Sequence, residues 1–358
     1  MRSMTAIALA LAFTACGGSA SGTGAGQIAS SSTPPMLHAY TPAAAAHATA
    51  GVALPLGKCV NLSNMLEARN EGEWGRAFQD QDAPRIRQAG FATVRLPVRF
   101  SGHALAAPPY TIDAGFMARV HHVVDANLAA GLNVIIDMHN YDELFTDPDA
   151  NKARFAELWR QIGTSFQGAP ANVWFELINE PHGSLTDANL LAVLSPALAA
   201  LRTTNPTRPV IVGGQNYSGV DSLATLAFPN DPNIVPTFHY YDPFDFTHQG
   251  ATFIHPVLPT GRRLGTAADS ARLDADLMKI MSFMRRTGRV PFAGEYGAYD
   301  RIPLDQRALY YGTISAAFAS IGVQSCAWGY TNTFRLWNDS TGWIAPIRDA
   351  IATTTTVR

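Results

Sequence analysis

Short apolar runs and longer stretches with helical periodicity alternate along the chain from about residue 57 onward. Six stretches have apolar residues at helical spacing, and Phe116, Val120 and Val124 show this by falling on one helical face. These stretches are 74–89, 113–130, 149–166, 187–203, 268–286 and 304–319. Eight shorter runs, bounded by Gly, Pro or Asn, have the length of buried strands. They are 57–62, 92–97, 133–139, 172–179, 209–213, 234–240, 290–295 and 324–330.

Strands that alternate with helices are typical of a parallel α/β sheet. Eight such units in about 300 residues predict an α/β fold with a single (β/α)8 TIM barrel. A doubly wound sheet is the alternative, but no Gly-x-Gly-x-x-Gly follows the first strand. The segment 241–266 is long for a connection, and its Phe, His, Thr and Pro residues predict a structured loop at the functional site.

The first 50 residues follow a different pattern. Arg2 precedes an apolar run at 5–13 that is too short to span a bilayer permanently, which predicts a signal peptide at residues 1–15. The sequence Thr-Ala-Cys-Gly that ends at Gly17 is similar to a bacterial lipoprotein box and predicts lipidation of Cys16. Ordinary cleavage near Ala15 or Ala20 is the alternative.

Residues 16–50 are rich in Gly, Ser, Ala and Thr with almost no charge, which predicts a disordered linker. The folded domain is then predicted at 51–358. These features together predict secretion across the inner membrane and an outer-membrane lipoprotein, or otherwise a periplasmic or extracellular protein.

Composition excludes two classes of protein. The 358 residues carry 26 Lys and Arg against 28 Asp and Glu, without a basic block, so nucleic acid is not an expected partner. No apolar run reaches the roughly 18 residues of a membrane-spanning helix, which excludes a polytopic membrane protein. We expect a monomer.

Two further cysteines, Cys59 and Cys326, fall in the first and the last predicted strand. If the barrel closes in chain order, these strands are neighbours and the two thiols lie close together. We expect both to stay reduced, because a disulfide requires Cα separations and Cβ directions that parallel neighbours rarely offer.

The candidate chemistry is concentrated where the predicted strands end, which is where a barrel of this kind carries its reactive groups. Glu180 and Glu295 close strands four and seven, so they face each other across the barrel mouth. Glycoside hydrolysis needs this pair, one carboxylic acid to protonate the leaving oxygen and one carboxylate to attack the sugar or activate water. Arg95 and Tyr241 or Tyr296 are placed to keep the second carboxylate ionised.

Seven segments carry a resemblance to one known family, and they cover nearly the whole folded domain in the family's order. The chain resembles glycoside hydrolase family 5 enzymes of the cellulase type, which are (β/α)8 barrels with a retaining mechanism. The segments are VNLSNMLEA at 60–68, RLPV at 95–98, DMHNY at 137–141, ELINEP at 176–181, HYYDPF at 239–244 with FTHQG at 246–250, GEYG at 294–297 and Trp328.

The resemblance implies that Glu180 is the general acid/base and Glu295 the nucleophile. It also implies a sugar-binding subsite next to them, with Trp328 as its stacking platform. The polar lining of that subsite would be Arg95, His139, Asn179, His239 and Tyr241. Two positions depart from the family pattern, since Ser63 replaces a common Gly and Phe253 a common Trp. The second departure concerns the shape of a distal sugar subsite.

Other interpretations of these residues remain open at this point. In one, Glu180 and Glu295 are structural ion-pair partners of Arg95 or Arg99. In another, His139 and His239 are buried core side chains whose hydrogen bonds are all made inside the protein. A metal site at His139 and His239 with Asp137 is a third, although the first strand lacks the His-x-His of barrel metallohydrolases. We expect no metal and no cofactor.

The predicted function is a secreted endo-β-1,4-glucanase that hydrolyses a β-glucan by double displacement, with its two carboxyl groups about 5–5.5 Å apart. Alternatives on the same barrel are an endo-β-mannanase or a mixed-linkage β-glucanase. A non-catalytic glycan-binding lipoprotein is a distant alternative, because it would not need both Glu180 and Glu295.

Overall fold

The computed structural model describes residues 39–355, and these form a closed barrel of eight parallel strands in chain order. The strands are β1 (Cys59–Asn61), β2 (Thr93–Val98), β3 (Asn133–Met138), β4 (Val173–Glu176), β5 (Val210–Val212), β6 (Ile234–Tyr240), β7 (Phe292–Tyr296) and β8 (Ser325–Ala327). Every predicted strand is present, and β1 pairs with β8 to close the barrel. The predicted (β/α)8 barrel is confirmed.

Helices surround the barrel. The longer ones are α1 (Asp82–Gln88), α2 (Ala114–Ala129), α4 (Pro148–Ser165), α5 (Leu190–Arg202), α7 (Ala267–Thr287) and α8 (Leu304–Ser320). The structure also has three short α-helices, α3 (Asp142–Thr146), α6 (Phe244–Thr247) and α9 (Ala345–Ala350), and a hairpin of β9 (Trp337–Asn338) and β10 (Gly342–Trp343). Two 3₁₀ helices lie at Phe100–His103 and Val220–Ala224. The short helices escaped sequence analysis because four to six residues show no helical period.

Helix α7 shows how local sequence sets these boundaries. Thr266 and Asp269 form a reciprocal capping box that satisfies backbone N–H groups at the start, and Gly288 ends the helix with φ +67°. The helix predicted at 74–89 begins only at Asp82, because 74–81 is irregular and Gly75 has φ +147°. That stretch contributes Trp74 to the rim of the barrel.

The base of the barrel, where the strands begin, is filled by an apolar cluster. Leu54 and Leu56 precede β1 and close the interior from below. They pack with inward side chains of the strands, namely Cys59, Ile135, Trp174, Ile211, Val235, Phe292 and Cys326. The side chain of Gln324 fixes this closure, since it accepts from Gly57 N and donates to Leu54 O.

Cys59 and Cys326 form a disulfide bond, so the prediction that they stay reduced is wrong. Their predicted proximity is correct, because they are directly paired residues of β1 and β8. The pairing brings their Cα atoms to 4.3 Å, and both side chains point into the barrel. Directly paired residues of neighbouring strands point to the same face of a sheet, so the pairing itself places the two sulfur atoms side by side.

The stretch 39–50 is bonded to the base of the barrel and is not a disordered linker. Ala43 N donates to Ala319 O, Ala46 N to Gly322 O, and Thr49 N to Gly288 O. Backbone hydrogen bonding does not need large apolar side chains, which is why composition alone misjudged this stretch. The predicted signal peptide, the lipidation site and the linker up to residue 38 lie outside the described residues. Within 39–355, no helix has the length and apolar character needed to cross a membrane.

Candidate active site

A cavity of about 1030 Å³ lies at the rim, where the carboxyl ends of the strands meet. Five of the eight predicted site residues line it. These are Glu180, His239, Tyr241, Glu295 and Trp328. The other three, Arg95, His139 and Asn179, are buried beside it and contact the lining residues from behind. The strand ends therefore bring the predicted residues together.

Arg95 is the centre of the buried network. Its five N–H groups meet five acceptors, which are both oxygens of Glu176, the side-chain oxygens of Asn61 and Asn179, and Oε1 of Glu295 at 2.7 Å. Burial by itself lowers the pKa of Arg95, because it disfavours the charged form. The negative charges of Asp137 and Glu176 have the larger combined effect and hold the pKa of Arg95 well above its usual range. Arg95 is buried and each of its donors has an acceptor in this structure, so it acts on the site through Glu295, and its predicted contact with a sugar stays a prediction.

Glu295 is held at both of its oxygens. Arg95 Nη1 donates to Oε1 at 2.7 Å, and the Tyr241 hydroxyl donates to Oε2 at 2.8 Å. Burial and then the Glu295 charge keep the pKa of Tyr241 well above its usual range, so this hydroxyl stays a donor. Of the two tyrosines considered from the sequence, Tyr241 and Tyr296, it is Tyr241 that contacts Glu295. Glu295 therefore sits as a fixed carboxylate at the cavity floor.

Glu180 has the opposite surroundings. Its side chain is 24% exposed, and one oxygen contacts a ring nitrogen of His239, Nδ1, at 2.8 Å. Burial raises the pKa of Glu180 above its ordinary value, although nearby His139 and Arg95 partly oppose this, and burial lowers the pKa of His239 to about 4. A neutral imidazole thus faces a carboxyl group whose pKa is raised by burial.

The backbone of Glu180 has φ +47°, a conformation that non-glycine residues seldom adopt. Strain of this kind persists only where the surrounding structure determines it, and it is concentrated at functional sites. Oxygen atoms of Glu180 and Glu295 and a nitrogen of His239 all lie within 4.8 Å of one another. A pair of carboxyl oxygens this close is compatible with the short carboxyl separation of a retaining glycosidase.

His139 forms the link between the buried network and the stacking platform. Its Nδ1 bonds to Asp137 Oδ2 at 2.6 Å, and its ring stacks on Trp328 with centroids 5.5 Å apart and planes 6° apart. Burial lowers the pKa of His139 to about 4 and raises that of Asp137 to about 7. Among the described residues, the His, Asp and Glu side chains whose ligand atoms come within 4.8 Å of one another are Glu180, His239 and Glu295, and not the predicted alternative set of His139, His239 and Asp137.

The long loop 241–266 forms one wall of the cavity, as predicted. Phe244 stacks on His248 with centroids 4.1 Å apart, and Phe253 meets His248 edge-on at 6.1 Å. Phe253, the departure from the family pattern, is 48% exposed and lines the cavity.

Sequence analysis missed several residues of the site. Asn61 and Glu176 complete the bonding of Arg95, and Glu67 is a fully buried carboxyl group that accepts from Met65 N and Asn64 N. A strand period of two places Glu176 on the same face as Glu180, and this signal was available. Tyr217, an exposed aromatic residue of the cavity wall, follows β5, a strand whose end showed no chemistry in the sequence.

Known proteins match this chain over the same region. The model of the family described as Cellulase (glycosyl hydrolase family 5) matches residues 56–333. Endoglucanase H of Acetivibrio thermocellus is 33% identical over 277 residues, 76% of this chain and 29% of that protein. Endoglucanase B of Clostridium cellulovorans is 28% identical over 82% of this chain and 74% of its own length. The chain spans less than a third of Endoglucanase H and 38% of the same bacterium's Cellulase/esterase CelE.

Solved structures agree with these matches. Cel5A of Thermotoga maritima, in complexes with cellobiose and with mannotriose, is 34% identical with a TM-score of 0.81, covering 83% of this chain and 97% of that one. The cellulose synthase subunit Z of Clostridioides difficile is 29% identical with a TM-score of 0.80 and covers 83% and 99%. The matched region, residues 56–333, contains all eight barrel strands and both rim carboxyl groups, Glu180 and Glu295. The chain belongs to glycosyl hydrolase family 5, the cellulase family.

Proposed function

We propose that this glycoside hydrolase is a retaining endo-β-1,4-glucanase in which Glu295 is the nucleophile and Glu180 the general acid/base. One observation carries the assignment: two carboxyl groups, with an oxygen of one within 4.8 Å of an oxygen of the other, have opposite surroundings. Glu295 faces a guanidinium and a hydroxyl donor, whereas burial raises the pKa of Glu180. Such a difference separates the roles of two carboxyl groups in one site.

In the first step, a Glu295 oxygen attacks the anomeric carbon and forms an ester, while the bond to the leaving oxygen breaks. Glu180 donates its proton to that oxygen. In the second step, a water attacks the same carbon, Glu180 takes the water proton, and the ester bond to Glu295 breaks. His239 supports both states of Glu180 through its Nδ1 contact.

The sugar beside Glu295 is proposed to stack on Trp328, whose ring is fixed by the parallel ring of His139. The side-chain oxygen of Asn179 accepts from Arg95. Its amide N–H₂ has two hydrogens, of which one faces Nε2 of His139 at 3.5 Å and the other is proposed to donate to the sugar. His239 and Tyr241 complete the polar lining.

The names of the matched relatives favour glucan as the substrate, since Endoglucanase H and Endoglucanase B are both called endoglucanases. The mannotriose complex of T. maritima Cel5A makes mannan the second candidate. Release of reducing sugar from carboxymethylcellulose, lichenan and galactomannan, measured side by side, separates these candidates. Highest activity on galactomannan would overturn the glucanase assignment.

Proton NMR of the first product from a soluble cello-oligosaccharide tests the mechanism. We expect the β-anomer to form first, whereas an initial α-anomer would mean inversion. Glu180→Gln should lose activity on natural substrates but hydrolyse an activated aryl cellobioside, with azide giving the β-azide product. Glu295→Gln should be inactive on both. Azide rescue of Glu295→Gln and not of Glu180→Gln would exchange the two roles.

We also propose that Cys16 is lipidated and that the mature chain is an outer-membrane protein acting as a monomer. The sequence Thr-Ala-Cys before the uncharged segment supports the anchor, and a cavity built from one chain supports the monomer. Palmitate should label the wild-type protein and not Cys16→Ser. A Cys16→Ser protein that still partitions with membranes would contradict the anchor, and sedimentation as a dimer would contradict the monomer.

A further inference from the structure

Four buried side chains at the rim form a closed circuit of polar contacts that begins and ends at one nitrogen atom of Arg95. Nη2 of Arg95 donates to Oδ1 of Asn179 at 2.8 Å, and Nδ2 of Asn179 faces Nε2 of His139 at 3.5 Å. Nδ1 of His139 contacts Oδ2 of Asp137 at 2.6 Å, and the same oxygen lies 3.1 Å from Nη2 of Arg95. The proposed mechanism gives Asp137 no role in this circuit.

The chemistry of Arg95 decides which groups of the circuit are donors. A guanidinium only donates, so Asn179 has its oxygen on the side of Arg95 and its N–H₂ on the side of His139. This N–H₂ needs an acceptor, and an unprotonated Nε2 of His139 supplies it. The imidazole ring carries a single proton near neutral pH, because burial lowers the pKa of His139 to about 4. That proton is therefore on Nδ1, which donates to Asp137.

Asp137 is an acceptor for His139 in either of its protonation states. Its Oδ2 faces N–H groups of both His139 and Arg95, whereas its Oδ1 is buried and has no hydrogen-bond partner among the residues that the structure describes. Burial raises the pKa of Asp137 to about 7. A proton taken up below that pH belongs on Oδ1, because Oδ2 already faces two donors. The acceptor for Nδ1 thus persists on both sides of this pKa.

We propose that Asp137 is a positioning residue for the sugar-binding subsite, because by accepting from Nδ1 it holds His139 in the tautomer whose Nε2 is an acceptor. The inference rests on the proposed function, in which a sugar lies beside Glu295. The contact between Asn179 and Nε2 is the longest of the circuit, which leaves the Nε2 lone pair open to a closer donor, a hydroxyl group of that sugar. The other tautomer would place an N–H group there and remove the acceptor.

The test compares Asp137→Leu with Asp137→Asn, which both remove the carboxylate. Only Asn keeps an oxygen for Nδ1, and Arg95 fixes that oxygen in place because an N–H₂ there would face its own N–H groups. Nitrogen NMR of the imidazole rings, with the His139 signals identified from their absence in His139→Phe, should show Nδ1 protonated in the wild type and in Asp137→Asn. In Asp137→Leu the tautomer protonated on Nε2 should appear. The kcat/KM on cellotetraose should fall about tenfold in Asp137→Leu, the loss of one hydrogen bond, and Asp137→Asn should recover most of this loss.

A double-mutant cycle with His139→Phe shows whether Asp137 acts through His139. Phe keeps a ring beside Trp328 but has no acceptor, so Asp137→Leu should lower kcat/KM no further in this background. A loss of the same size in this background would mean that Asp137 acts through Arg95 and would overturn the proposal, as would an equal loss in Asp137→Asn. A wild-type His139 protonated on Nε2 would overturn it whether or not the variants fold. Failure of the wild-type protein to cleave cellotetraose would instead overturn the proposed function, and the NMR comparison would still decide the tautomer.

Discussion

The rim and the base of the barrel are built on opposite principles. The rim holds a buried guanidinium among three carboxylates, Asp137, Glu176 and Glu295, and a strained backbone at Glu180. The base holds an apolar cluster closed by Leu54 and Leu56 and a disulfide between the first and last strands. The same eight strands therefore carry the chemistry at one end and closure at the other.

This contrast shows which end of the barrel stabilises the fold and which end lowers its stability. Burying apolar side chains at the base is favourable, about 25 cal/mol for each Å² removed from water. Burying charges at the rim is costly unless each one is matched by partners. We therefore expect variants at the base to change stability alone, and variants at the rim to change stability and activity together.

The largest effect is expected for Arg95→Met. It leaves Asp137, Glu176 and Glu295 without their common partner, and breaking a buried ion pair costs about 3–5 kcal/mol. Denaturant unfolding should show this loss, and kcat should fall in the folded fraction because Oε1 of Glu295 loses its donor. Arg289→Met is the control at the base, where Arg289 bonds only to backbone oxygens of Ile234 and Asp231. If Arg95→Met and Arg289→Met have the same free energy of unfolding, the proposed contrast between the rim and the base is wrong.

Cys59→Ala with Cys326→Ala is expected to lower the free energy of unfolding by about 2–4 kcal/mol, since the bond closes a long loop in the unfolded chain. The two residues are 267 positions apart and lie below the cavity. The kcat and KM of the folded double variant should equal those of the wild type. A changed kcat at a temperature where the variant is fully folded would show that the base also controls the chemistry.

Glu67 gives the rim a dependence on pH. Burial raises its pKa to about 8. A carboxyl group with a raised pKa stabilises the fold at pH below its ordinary pKa, and this contribution is lost as the pH rises towards the raised value. The free energy of unfolding of the wild type should therefore fall relative to that of Glu67→Gln between about pH 5 and pH 8. His139 and His239, whose lowered pKa values act in the opposite direction below about pH 6.5, do so equally in both proteins. If the wild type and Glu67→Gln show the same pH dependence of the free energy of unfolding, a group other than Glu67 is responsible for it.

The smallest effect is expected for Ile135→Val in the apolar cluster of the base. Removing one methylene group from a packed core costs about 0.5–1.5 kcal/mol. Ile136→Val is the matched control, because Ile136 is the next residue of β3 and packs in the other core, among the helices. Both variants should keep wild-type kinetics. A lower kcat in Ile135→Val alone would mean that the two ends are coupled through the barrel interior.

The sequence predicted the strands and their polar ends well, because apolar runs and strand-end residues are local signals. Glu180, His239, Tyr241, Glu295 and Trp328 reach one cavity for this reason. Arg95 contacts Glu295, as the strand-end position suggested, whereas its contact with a sugar stays a prediction. Its partners Asn61 and Glu176 come from other strands, and the number of donors they use is visible only after folding.

Other features had no local signal at all. The disulfide depends on the register of β1 against β8. The bonding of residues 43–50 to the base depends on backbone groups that any sequence possesses. Tyr217 reaches the cavity through three left-handed residues that are not glycine, so the usual marker of such a turn is missing.

The two ends of the described chain meet beneath the barrel. Thr355 N donates to Ala43 O, and Ala43 N in turn donates to Ala319 O at the base. The cavity opens at the opposite face. A bead, an electrode or a fusion partner coupled near either of these ends would therefore hold the molecule from below, with its cleft turned towards polymer in solution.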